Sequence, residues 1–89
     1  MRKVHLYIDG MVKAVGLRSF IYRHAIAKGL KGYVRNIEGG VEVVAEGEDE
    51  AVQALIELAK EGTSAAKVTN VTVEEQTPTF LYKEFSIMP

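Results

Sequence analysis

The sequence has no cysteine, only two histidines and two prolines, and no excess of charge of either sign. Without cysteine there are no disulfides, no thiol nucleophile and no cysteine-held zinc. His5 and His24 are the only imidazoles, and neither has a second histidine at metal-ligand spacing. Both read as surface or edge packing residues. Any hydrolase built on this chain works without a Ser-His-Asp triad, and a metal site is not expected. The formal net charge of −1 lacks the basic stripe that grips nucleic acid. No apolar run approaches the length of about 18 residues needed to span a membrane. Met1-Arg2-Lys3 runs straight into a strand pattern without the apolar core of a signal peptide, so the cytoplasm is the expected location.

What is present is the composition of a globular protein, 47% apolar and 26% charged, in a chain of 89 residues that suits one domain spanning 1–89. Val4, Leu6 and Ile8 alternate as one face of a strand. Leu17, Phe20, Ile21 and Ala25 recur at helical spacing, which predicts a helix over Arg18–Lys28, ended by Gly29 and Gly32. Ile26 lies off that stripe and marks either a wider buried face or a contact with another subunit.

Two strands follow, Lys31–Ile37 and Val41–Glu46, joined through Glu38-Gly39-Gly40, a glycine pair suited to a tight hairpin turn. In the second, Val41, Val43 and Ala45 alternate with Glu42 and Glu46, which predicts one buried face and one mostly wet. Gly47-Glu48-Asp49-Glu50 opens a second helix, with Asp49 as its expected cap; Val52, Leu55, Ile56 and Ala59 form its stripe and Gly62 stops it. A strand from about Lys67 to Glu75 and an extended tail, Phe80–Ile87, complete the chain.

The order β-α-β-β-α-β plus a short C-terminal strand predicts an α+β, ferredoxin-like split-βαβ fold. Right-handed crossovers put both helices on one face of an antiparallel sheet, with strand order 4-1-3-2. Such a fold hosts many functions and decides none.

The functional signal lies between Gly10 and Arg18, in Gly-Met-Val-Lys-Ala-Val-Gly-Leu-Arg. A short strand-to-helix turn leaves backbone N–H groups without ladder or helix partners, and the positive helix end helps them converge on an anion. Arg18 adds a fixed charge and a planar fork of donors matched to phosphate or carboxylate.

With these residues in view, the chain resembles the acylphosphatases, small ferredoxin-like enzymes that hydrolyse the carboxyl-phosphate bond. The family's cradle reads roughly G-x-V-Q-G-V-G-F-R, and Gly10, Val12, Val15, Gly16 and Arg18 match it. The run Gly29-Leu30-Lys31-Gly32-Tyr33-Val34-Arg35-Asn36 resembles the family's glycine-aromatic-valine-arginine-asparagine stretch, and Val41–Gly47 its third strand. Lys13, Ala14 and Leu17 stand where the family usually has glutamine, glycine and phenylalanine. The Glu38-Gly39-Gly40 turn is one residue shorter than the family's usual turn, and Thr63-Ser64 replaces a common proline pair.

The resemblance implies that Arg18 binds the phosphoryl oxygens together with the backbone N–H groups of Met11, Val12, Lys13, Ala14, Val15 and Gly16. It implies that Asn36 holds the attacking water. It implies no cofactor, a small-molecule acyl phosphate as partner, and a monomer that takes neither nucleic acid nor membrane. Strand alternation turns Arg35 to the face opposite Asn36, outside the site. Two other readings stay open: a non-catalytic anion-binding module of the same fold, and an RNA-binding ferredoxin-like domain suggested by Lys31-Gly32-Tyr33-Val34.

Overall fold

A computed structural model of the chain describes residues 1–11, 16–63 and 67–89, with Met11 and Lys67 described through their backbone alone. The elements run β1 (Arg2–Met11), α1 (Leu17–Ala27), β2 (Lys31–Ile37), β3 (Gly40–Gly47), α2 (Asp49–Glu61), β4 (Lys67–Gln76) and β5 (Phe85–Ile87). The sheet order is β4-β1-β3-β2-β5. The first four strands pair antiparallel in the expected 4-1-3-2 order. β5 adds itself parallel to β2 at the edge, so the whole sheet is mixed. Of the extended tail expected over Phe80–Ile87, only Phe85–Ile87 joins the sheet.

The periodicity of the chain explains its core. Val4, Leu6 and Ile8 of β1 and Val41, Val43 and Ala45 of β3 are fully buried, facing Leu17, Ile21 and Ala25 of α1 and Val52, Leu55, Ile56 and Ala59 of α2. Each valine, leucine or isoleucine among them contributes about 1.5–3 kcal/mol on burial. Phe20 is half-buried and packs on the margin of this cluster. Ile26 is exposed, so it does not widen the buried face of α1. Among the described residues, no helix is long and apolar enough to cross a membrane.

The glycine turn between β2 and β3 forms as its composition requires. Gly39 takes φ +85°, and Ile37 pairs with Gly40 across a two-residue turn. Gly40 has a different reason to be glycine: a Cβ there would lie 2.0 Å from the Ile8 carbonyl oxygen.

Two expectations need correction. β3 is buried on both faces, including Glu42 and Glu46. The covering comes from long-range partners: Arg35 and His5 on Glu42, and the backbone of Thr79 and Phe80 on Glu46. A period of two with acids on one side reads as a wet face because the local sequence carries no sign of those partners. Asp49 is not the cap of α2 but its first residue; Glu48 holds the cap position, without a side-chain cap bond. The Asp49 carboxylate instead lies 3.5 Å from the Met1 amino group.

Candidate active site at the end of β1

β1 and β2 both run antiparallel to β3, so they point the same way and end at the same edge of the sheet. The crossover from β1 starts α1 at that edge, and β2 delivers Asn36 there. Ile8 pairs with Val41, and Val41 pairs with Asn36, so the three residues form one row across three strands. Asn36 is therefore two strand spacings, roughly 10 Å, from β1. Directly paired residues share a face, so Asn36 lies on the side of Val41, the side that carries the helices.

Arg18 is the second residue of α1 and is half-buried. The first turn of the helix carries no acid, and among the described residues Arg18 has no carboxylate partner. Its charge and the helix's positive end are thus not neutralised by a described neighbour. Gly16 stands at the cap position with φ +80° and ψ 9°, a left-handed conformation that costs a residue with a Cβ about 1 kcal/mol or more. Its carbonyl accepts the Phe20 N–H at 2.9 Å, and it offers no side chain to the donors of the first turn. The first turn of α1 thus has no side-chain cap, which leaves the kind of donor set that suits an anion.

The start of the turn is anchored from the other side. Gly10, at φ +138°, donates its N–H to the Gly39 carbonyl at 3.4 Å. The hairpin that follows Asn36 is thus joined by backbone to the residue from which the cradle departs. Sequence reading missed this link, although the two glycine positions that form it were both visible. Met11 pairs through its backbone with Lys67. Val12, Lys13, Ala14 and Val15 lie outside the described residues. So does the conformation of Ala14, where the family usually has glycine.

The opposite face of the sheet holds a separate polar group. His5 Nε2 lies 2.7 Å from a Glu42 carboxylate oxygen, and Arg35 Nε donates to the other oxygen. Burial alone pushes the Glu42 carboxyl up, but the hydrogen bonds from Arg35 and His5 outweigh it and hold the group below its ordinary value. Arg35 pairs with Glu42 on this face, away from Asn36, as strand alternation predicts. His5 also stacks on Tyr7 with ring centroids 4.5 Å apart, and His24 packs against Phe20 at 4.6 Å. Among the described residues no group of three metal-ligating side chains converges.

The family model for Acylphosphatase matches residues 4–87. An acylphosphatase of Caldivirga maquilingensis is 51% identical over 74 residues, covering 81% of this chain and 78% of its own. The crystal structure of acylphosphatase from Bacillus subtilis superposes with a TM-score of 0.94 at 36% identity, covering all of both chains. The structure of an acylphosphatase from Coxiella burnetii gives 0.91 at 33% identity, covering 98% of this chain and 92% of that one. With a family model over most of its length and relatives matched in both sequence and backbone, the chain belongs to the acylphosphatase family of enzymes.

Proposed function

We propose that this chain hydrolyses acyl phosphates to a carboxylate and inorganic phosphate, using Arg18 and the backbone N–H groups of residues 11–16 to bind the phosphoryl group and Asn36 to position water. The substrate makes the chemistry modest. Its leaving group is a resonance-stabilised carboxylate, so neither a strong base nor a covalent nucleophile is needed. The water oxygen forms a bond to phosphorus as the bond from phosphorus to the acyl oxygen breaks. The carboxylate takes the electron pair, and the proton of the water passes to phosphate or solvent.

What the protein must supply is charge neutralisation on the transferring group and an in-line water. Backbone donors and a guanidinium meet the first demand in a preorganised setting. A neutral carboxamide meets the second, because it accepts from water through its oxygen and donates to phosphate through its nitrogen. The guanidinium does the work a metal ion does at other phosphoryl sites, so turnover needs no metal. The 89 residues act as one domain, and one chain carries every group the reaction uses, with no nucleic acid or membrane involved and the cytoplasm as its setting.

One relationship carries the reading: Asn36 ends the Ile8–Val41–Asn36 row at the sheet edge where α1 begins, with Arg18 in its first turn. The test is hydrolysis of benzoyl or acetyl phosphate by purified protein in the presence of a chelator, with Arg18→Gln alongside. Turnover by the wild type and its loss in the variant are expected. A wild type that binds phosphate but turns nothing over would make the site a binding module.

A further inference from the structure

We infer, resting on the hydrolytic reading above, that the groove between the last turn of α2 and the start of β4 receives the acyl half of the substrate, and that Lys60 selects there for acyl groups carrying a second negative charge. In-line displacement sets the attacking water and the departing acyl oxygen on opposite sides of phosphorus. The sheet order β4-β1-β3-β2 turns that requirement into a direction. Asn36 on β2 lies two strands to one side of β1, from which the phosphoryl cradle departs. With the water on that side, the acyl group leaves toward β4, one strand spacing of about 5 Å on the other side.

β4 is joined to the stem of the cradle. Its Val68 pairs with Gly10 and its Lys67 with Met11, while Val71 pairs with Ile8, the residue that begins the row through Val41 to Asn36. Val68 and Val71 are partly buried and pack on the core, so they lie on the helix side of the sheet, as Asn36 does. α2 ends at the same edge. It starts where Asp49 meets the Met1 amino group, and its 13 residues carry Lys60 to the opposite end of the sheet, where β4 begins.

Lys60, Val68, Thr69, Asn70 and Val71 line a groove of about 290 Å³ at this place. Thr69 is the extra residue of a β-bulge: Asn70 pairs with Asp9 and Val68 with Gly10, which leaves Thr69 unopposed. Bulges recur beside active sites because they re-aim a side chain. The two valines give the groove an apolar wall, Thr69 and Asn70 give it polar groups, and Lys60 is the only charged residue lining it. Lys60 is exposed, and among the described residues no carboxylate lies within ion-pair distance of it. Glu57, one turn before it, accepts from Gln53 at 3.2 Å instead. An acyl group with an anion at its far end meets that ammonium, whereas a neutral one of the same shape meets only the walls.

The experiment compares kcat/KM of the full chain for 4-carboxybenzoyl phosphate and 4-methylbenzoyl phosphate, which are alike in shape and differ in distal charge. Their ratio is internal to each preparation, so a partial loss of folded protein leaves it unmoved. The ratio should favour the charged substrate at low salt and fall as salt screens the pair. In Lys60→Gln it should drop about two- to fivefold, as for an exposed ion pair lost, and in Lys60→Glu it should drop further. Lys31→Gln, which removes the same charge at the far end of β2, should leave it unchanged. A ratio indifferent to Lys60 and to salt, or an equal drop in Lys31→Gln, overturns the acyl groove and leaves the roles of Arg18 and Asn36 untouched. A wild type that hydrolyses neither substrate overturns the hydrolytic reading itself, and the acyl groove with it.

Discussion

The carboxylate of Glu46, 2% exposed near the end of β3, accepts the backbone N–H of Thr79 at 2.7 Å from the far end of the chain. The same carboxylate accepts the Phe80 N–H at 3.1 Å, and Lys3 Nζ reaches the Thr79 hydroxyl at 3.1 Å. One buried acid therefore ties the segment leading to β5 across the face of the sheet that the helices leave open.

Removing that acid should loosen the segment without touching the reaction. Glu46→Ala leaves the backbone donors of Thr79 and Phe80 without their acceptor and is expected to cost about 1–3 kcal/mol in urea unfolding. Turnover at saturating substrate should be unchanged, because Glu46 lies on the opposite face from Asn36.

The two glycines of the hairpin turn should respond unequally to alanine. At Gly39 a Cβ meets nothing within 4 Å, and the penalty is conformational, about 1 kcal/mol from its φ of +85°. At Gly40 the Cβ would collide with the Ile8 carbonyl, and β1 and β3 must separate to admit it. Gly40→Ala should therefore cost more than about 2 kcal/mol. Denaturant midpoints of the two variants rank them directly.

Stability should fall in acid partly through Glu42. Its folded carboxyl is held below the ordinary 4.5, so its contribution is present above the unfolded value and lost as the pH falls through the folded one. In Glu42→Gln the unfolding free energy should change less between pH 5 and the acid limit, measured by urea titration across about pH 2–5. A variant with the wild-type acid slope would move the origin of that slope elsewhere.

Asn36 and Arg18 should separate by what they do to phosphate. Asn36→Ala is expected to lower turnover on the order of a hundredfold while inhibition by inorganic phosphate stays nearly unchanged. Arg18→Gln should weaken both. Equal effects of the two variants on phosphate inhibition would contradict separate roles in steering water and gripping the phosphoryl group.

The architecture was largely legible because local periodicity governs it. The stripe Leu17, Ile21, Ala25 sits where the apolar spacing puts it, and β2 runs over the expected Lys31–Ile37. Gly39 turns the hairpin with the positive φ its identity invites. What failed to show was set by partners distant in sequence. Glu42 and Glu46 look solvated until Arg35, His5, Thr79 and Phe80 arrive from other strands. Asp49 looks like a cap because acids suit that position, yet the helix begins one residue earlier than such a cap allows. For the site, Arg18 and Asn36 were named by motif alone. Their common edge follows from the register through Val41, which no single segment of sequence encodes.

The most direct measurement is the rate of benzoyl phosphate hydrolysis by chelator-treated wild type beside chelator-treated Arg18→Gln. The wild type should keep its full rate without metal, and the variant should be slower by on the order of a hundredfold or more. An Arg18→Gln protein as fast as the wild type, or a wild type silenced by the chelator and restored by added metal, would contradict it.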